Sequence, residues 1–246
     1  MLNVDYWPRL FNYRGMSVLE AAISLVAPPG CVGCGAEGMA LCNRCKQVNI
    51  LPFGGRCAFC SSLSSHSRTC SSCQRPGGPR FVWVATTHEG LAQELVRVYK
   101  FGHLRAAAGP LSSMMKDTLL GSVGHEYAKA ANYLIVPLPT ATGRTRQRGF
   151  DHAALLAKNL SRQLGLEYCP GLGRLGQSRQ VGASRQTRLG QQAGNYVVRR
   201  PRQVAGRNVL LIDDVITTGG SLLAASKSLR AAGAKHIDAV VFAKRL

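Results

Sequence analysis

Eight of the nine cysteines in this 246-residue chain stand in four Cys-x-x-Cys pairs between residues 31 and 73. The pairs are Cys31/Cys34, Cys42/Cys45, Cys57/Cys60 and Cys70/Cys73. A Cys-x-x-Cys on a tight turn points two thiolates at one tetrahedral centre, and two such turns complete a four-cysteine zinc site. Turn residues accompany the pairs: Gly33 and Gly35 at the first, Gly54 and Gly55 before the third. One pair would be weak grounds for a metal, whereas four in so short a span are strong. Neighbouring pairs sharing a metal is the simplest arrangement, but first-with-third and second-with-fourth is also compatible with the spacing, as is a single occupied site. One or two zinc ions are therefore expected. With cysteine at every ligand position no coordination site stays open to water, so the role is structural. The metal supplies the folding energy that so small a segment lacks in its own core. Cys169 stands apart and suits a small apolar filler.

The flanking sequence sets the boundaries. Residues 1–30 form an N-terminal extension with one helix around Val18 to Val26, stopped by Pro28-Pro29-Gly30. Its apolar run passes directly into a cysteine pair rather than a small-residue cleavage site, which argues against a signal peptide. No run of about 20 apolar residues occurs, so no membrane insertion is expected, and the reading is a cytoplasmic protein. Residues 31–75 are the double zinc ribbon, and Pro76-Gly77-Gly78-Pro79 is a breaker cluster before a main domain at 80–246.

In that main domain, strand and helix patterns alternate. Phe81 to Ala85, Tyr133 to Val136, Val209 to Ile212 and Ile237 to Ala243 read as strands. Gly90 to Phe101, Leu111 to Leu120, Asp151 to Leu164 and Ser221 to Ala232 read as helices. Such alternation predicts an α/β fold, a parallel sheet flanked by helices. The interval from about Gly171 to Arg188, rich in Gly, Arg, Gln and Ser, reads as a loop.

The most informative segment is Val209-Leu210-Leu211-Ile212-Asp213-Asp214-Val215-Ile216-Thr217-Thr218-Gly219-Gly220-Ser221. A buried strand ends in two carboxylates, and a turn of small residues then opens a helix. Ligands of open parallel sheets sit beyond the carboxyl ends of the strands. Small residues at a helix N-terminus offer N–H groups and hydroxyls to a phosphate. The carboxylates would repel that phosphate, but they suit the hydroxyls of a ribose. A divalent cation nearby would reduce their mutual repulsion.

This string resembles the motif of type I phosphoribosyltransferases that binds 5-phosphoribosyl-1-pyrophosphate (PRPP). The cysteine pairs, Val98-Tyr99-Lys100-Phe101-Gly102, Val136-Pro137-Leu138-Pro139, Arg144 to Gly149 with Phe150, and the Asp-Asp loop, taken together, resemble the ComF/GntX family from about Pro28 to Arg245. The resemblance implies a type I phosphoribosyltransferase-like domain with an N-terminal zinc-ribbon head. It implies PRPP and magnesium at Asp213, Asp214, Val215, Ile216, Thr217, Thr218, Gly219, Gly220 and Ser221. Lys100, Pro137, Leu138, Pro139, Arg144 and Arg148 become candidates for pyrophosphate or DNA. Family members are associated with single-stranded DNA uptake in natural transformation, which implies single-stranded DNA and a DNA-uptake helicase as partners. The chain departs from the family at Asp151-His152, Gln177 and Gln191.

The net charge of +19 agrees with a polyanionic partner. Thirteen Lys/Arg and only two acids lie between Arg144 and Arg207, too one-sided for solubility alone. No residue stands out as a general base, so the catalytic residues and the acceptor are not read. The alternatives are a non-catalytic DNA-binding adaptor on the same scaffold and a metabolic phosphoribosyltransferase making a nucleotide.

Overall fold

The structure, a computed structural model, describes residues 28–102, 104–140, 150–174 and 196–246. The predicted helix at Val18 to Val26, Arg144, Arg148 and the segment 175–195, with Gln177, Arg188 and Gln191, lie outside the described residues.

Four strands build one sheet: β1 (Val82–Thr87), β2 (Leu134–Pro137), β5 (Asn208–Ile216) and β6 (His236–Lys244). Their order is β1-β6-β5-β2 and every pairing is parallel. Both faces are covered, which is why the strands read as continuous apolar runs rather than alternating ones. Trp83, Ile135, Leu210, Ile212, Val240 and Phe242 point to one face. There they meet helices α2 (Gly90–Phe101), α3 (Ala108–Val123) and α5 (His152–Leu164) through Leu95, Leu111, Leu156 and Leu160. Val84, Leu134, Val136, Leu211 and Val241 point to the other face and meet α7 (Gly220–Ala231) through Leu222, Ala225 and Leu229. The remaining elements are short: α1 (Asn43–Asn49), α4 (His125–Ala130), α6 (Pro201–Val204) and an antiparallel hairpin of β3 (Leu172–Arg174) and β4 (Tyr196–Val198).

Two expectations change. Leu172–Arg174, read as part of a loop, is strand β3. Three residues are too few for a pattern to register in the sequence, and the partner strand starts 22 residues after Arg174. Asp213 and Asp214, read as following a four-residue strand, lie within β5, which continues to Ile216. The extension is imposed by β6, whose apolar run keeps offering a ladder: Asp213 pairs with Val241, Val215 with Ala243 and Ile216 with Lys244. On the other side β2 stops at Pro137, opposite Ile212. The two acids thus sit where β5 has lost one neighbour and kept the other.

The cysteine segment is tied to the sheet's β1 edge. Phe53 N–H donates to Ala85 O, Thr69 N–H to Arg80 O, and Thr86 Oγ1 to Leu51 O. At the amino ends of β1, β6 and β2 an ion pair between partly exposed Arg80 and buried Asp238 joins the elements. The Asp238 carboxylate, fully buried, accepts from Arg80 Nη2 at 2.8 Å, Arg80 Nε at 3.3 Å, Tyr133 Oη at 2.7 Å and Phe81 N–H at 3.2 Å.

Candidate functional site

The helix after β2 covers one face of the sheet and the helix after β5 covers the other. Adjacent strands with helices leaving to opposite sides open a crevice beyond their carboxyl ends. A cleft of about 740 Å³ lies there. Its floor is Asp213, Asp214 and Val215 from β5, with Leu138, Pro139 and Thr140 after β2. One wall is α2, through Gln93, Arg97 and Lys100, and the far side is Arg174 and Tyr196 of the hairpin.

Thr217, Thr218, Gly219, Gly220 and Ser221 wrap a hollow of about 50 Å³ at the N-terminus of α7. Gly219 is the N-cap and holds φ 77°, a left-handed conformation that glycine adopts at least cost. Among the described residues no side chain of the N-cap bonds into α7, and the Gly220 N–H makes only a long contact, 3.5 Å, to Thr218 Oγ1, so the first turn still presents N–H groups toward the hollow. Thr217, Thr218, Gly220 and Ser221 are exposed. The helix dipole favours negative charge at that position.

The acids have a different environment. The Asp214 N–H donates to Asp213 Oδ1 at 2.9 Å. Burial, then the neighbouring Asp214 charge, push the Asp213 carboxyl up to about 8. Lys100 Nζ donates to Asp214 Oδ1 at 2.7 Å. Asp151, the N-cap of α5, also has its carboxyl raised, by burial against a pull from backbone N–H groups. Ribose hydroxyls donating to Asp213 and Asp214 would favour their ionised forms.

The structure thus brings Lys100, Leu138, Pro139 and the loop from Asp213 to Ser221 around one cleft, with Pro137 as the last residue of β2. Within it the Lys100 ammonium sits on the Asp214 carboxylate. The cleft also contains residues that the sequence reading did not single out: His88, Arg97, Arg174, Tyr196 and Arg245. His88 and Arg245 each follow the carboxyl end of a strand, a position that could have flagged them. His88 titrates low because it is half-buried and faces the Lys100 and Arg245 charges. Nothing local marks Arg174 and Tyr196.

The cysteines fall into two groups, Cys31/Cys34/Cys42/Cys45 and Cys57/Cys60/Cys70/Cys73, each with its four sulfurs within 4.8 Å of one another. Neighbouring pairs therefore combine, and the interleaved alternative is set aside. Representative Sγ–Sγ separations are 3.8 Å for Cys34–Cys42 and 3.6 Å for Cys60–Cys70. A tetrahedron of sulfurs about 2.3 Å from zinc has edges of about 3.8 Å. The Cys42 N–H donates to Cys31 Sγ and the Cys45 N–H to Cys42 Sγ, as ligand thiolates require. Within each group the thiols split. Hydrogen bonds outweigh burial and bring Cys31 down to about 6, and hydrogen bonds bring Cys60 to about 6. Cys45 rises to about 12 through its bond to Cys42, and Cys73 to about 12 through burial. Four thiols that cannot all ionise side by side form a donor set that a divalent cation satisfies. Either group could hold one.

Comparison with known proteins agrees with this geometry. The family model for the phosphoribosyl transferase domain matches residues 151–246, from the start of α5 to the chain's last residue. The chain is 30% identical over 129 residues to uracil phosphoribosyltransferase of Streptomyces coelicolor, spanning 52% of this chain and 61% of that protein. The fold, the cleft and this match define a protein with a phosphoribosyltransferase domain. The chain is also 29% identical over 217 residues to competence protein F of Haemophilus influenzae, spanning 80% of this chain and 87% of that one. To competence protein ComFC of Bacillus subtilis it is 25% identical over 203 residues, 77% of each. Over most of its length the chain is thus similar to these two competence proteins, and its N-terminal part carries the two four-cysteine groups.

Proposed function

We propose that this chain binds PRPP with magnesium in the cleft between β2 and β5 and serves DNA uptake in natural transformation. The observation that carries the reading is the uncapped α7 N-terminus with its 50 Å³ hollow, placed directly after two adjacent carboxylates. The hollow receives the 5′-phosphate and the carboxylates receive the ribose hydroxyls. Lys100, His88 and Arg245 line the side where a pyrophosphate would project. Magnesium would neutralise part of the charge on that pyrophosphate and ease its departure. Lys100 and the arginines of the cleft would hold the leaving group, so that positioning and charge stabilisation carry any transfer.

The two four-cysteine groups are closed structural zinc sites in this reading, and the division of the chain into 31–75 and 80–246 belongs to the same proposal. Among the described residues no helix is long and apolar enough to cross a membrane. The names of the H. influenzae and B. subtilis relatives supply the competence role, and the charge of +19 supports a polyanionic second ligand.

Competition tests the proposal. A labelled single-stranded oligonucleotide should bind with an affinity that falls steeply with salt, and PRPP with magnesium should displace it. Binding of the oligonucleotide that PRPP leaves untouched would favour the non-catalytic adaptor. Release of pyrophosphate from PRPP in the presence of a free base would favour the metabolic enzyme.

A further inference from the structure

The two four-cysteine groups pack against different elements that border the cleft. The first lies against α2: a Cβ on Gly33 would sit 3.2 Å from Leu91. The second lies against the phosphate loop. Phe59, between the ligand positions Cys57 and Cys60, has its ring on the backbone of Gly219, where an added Cβ would be 2.2 Å from Phe59 Cε1 and 2.5 Å from Cδ1. Phe59 and Cys73 line a pocket of about 250 Å³ together with Thr218, Gly219, Gly220 and Leu223, immediately behind the loop. The chain leaving this group stays in contact with α7: a Cβ on Gly77 would meet Lys227 at 3.2 Å, and one on Gly78 would meet Leu223 at 3.2 Å. A second tie reaches the loop from β6. The buried Lys244 ammonium donates to the Thr217 carbonyl and lies near enough to Cys57 and Cys60 to feel their charge.

These contacts matter because the loop does little to hold itself. Its residues are small, most are exposed and no side chain caps the helix it opens. Its N–H groups converge on an anion only if the backbone at Gly219 keeps its left-handed turn. A Cys-x-x-Cys turn has little rigidity without a metal, and with one it becomes a fixed platform for the residue it carries.

We propose that Phe59 is a positioning residue for the phosphate loop, pressed onto Gly219 by the second four-cysteine group, with Lys244 as a second tie at Thr217. The metal at that group then governs how well the loop binds the 5′-phosphate, while the first group leaves the loop alone. The proposal rests on reading 217–221 as the phosphate cradle.

Three readouts on the full-length, zinc-loaded protein test it: zinc content, amide hydrogen exchange of 217–221 without ligand, and PRPP–magnesium affinity by calorimetry. Phe59→Ala should keep the wild-type zinc content, speed exchange in the loop and weaken PRPP binding on the order of tenfold or more. Phe59→Leu, which restores an apolar side chain, should recover most of both changes. Lys244→Gln, which leaves every cysteine in place, should also speed loop exchange, and it keeps the test available if Phe59→Ala does not fold. Loop exchange and affinity unchanged in both variants would overturn the proposal. Faster loop exchange in a protein whose wild type binds no PRPP would support the buttress and overturn the phosphate reading instead.

Discussion

In the proposed reading, two requirements on Asp213 conflict. It is half-buried beside a second carboxylate, which favours its protonated form, while a ribose bound as proposed would favour the ionised one. Its carboxyl sits at about 8, far above the ordinary value of 3.8. Between about pH 4 and pH 8 the native state therefore holds a proton that the unfolded chain releases, and stability falls as pH rises across that window. Ligand binding draws the proton off. PRPP affinity should rise between pH 6 and pH 8, by at most about tenfold per unit for one linked proton. Calorimetry across that range should show the rise in the wild type and a flatter profile in Asp213→Asn. Asp238 is a buried carboxylate with every lone pair engaged by Arg80, Tyr133 and Phe81. Asp238→Ala should cost about 3 kcal/mol, toward the low end for a broken buried pair because Arg80 is partly exposed. Urea denaturation would measure the loss, with PRPP affinity of the folded variant retained. Asp213 and Asp214 were legible in the sequence because their partners in the motif are adjacent. The Lys100–Asp214 contact joins residues 114 positions apart and the Arg80–Asp238 contact residues 158 apart. Nothing local announces either one.

At the scale of elements, the cleft exists because β2 and β5 end at different heights. β2 stops at Pro137, β5 continues along β6 to Ile216, and the step between them places the acids on the floor of the cleft. The apolar runs made both strands readable, but the length of β5 was not, since Asp213 and Asp214 break the pattern that identifies a strand. Their pairing with β6 overrides that local signal. The loop into α7 was readable for the converse reason: small residues and two glycines have few other uses at that position. Gly219→Ala should be costly on two grounds. An L-residue at φ 77° is strained by roughly 1 kcal/mol, and the added methyl meets the Phe59 ring. The expected outcome is a lowered thermal midpoint and PRPP binding reduced at least tenfold, with wild-type zinc content.

Across the whole molecule, two cysteine groups pack on a parallel sheet and share its core, which takes in Leu41, Ile50, Phe53 and Ala58 of the cysteine segment. The spacing of the pairs announced metal sites but left their pairing open, because sequence separation alone does not say which turns meet. Packing decides it, by closing Cys31 to Cys45 against α2 and Cys57 to Cys73 against α7 and the phosphate loop. Elemental analysis of the purified protein should find two zinc ions per chain. Stripping them with a chelator should lower the thermal midpoint and, through Phe59, weaken PRPP binding. The excess of basic residues was legible in the sequence, but which positions would contact a polyanion was not.

The central claim is that Asp213 and Asp214 hold the ribose of a phosphoribosyl ligand whose 5′-phosphate rests in Thr217 to Ser221. Isothermal titration of PRPP with magnesium into the wild type and into the Asp213→Ala, Asp214→Ala double variant tests it most directly. The account predicts saturable one-to-one binding to the wild type and none to a folded, zinc-loaded double variant. A wild type that binds no PRPP, or a double variant that binds it equally well, would contradict the account.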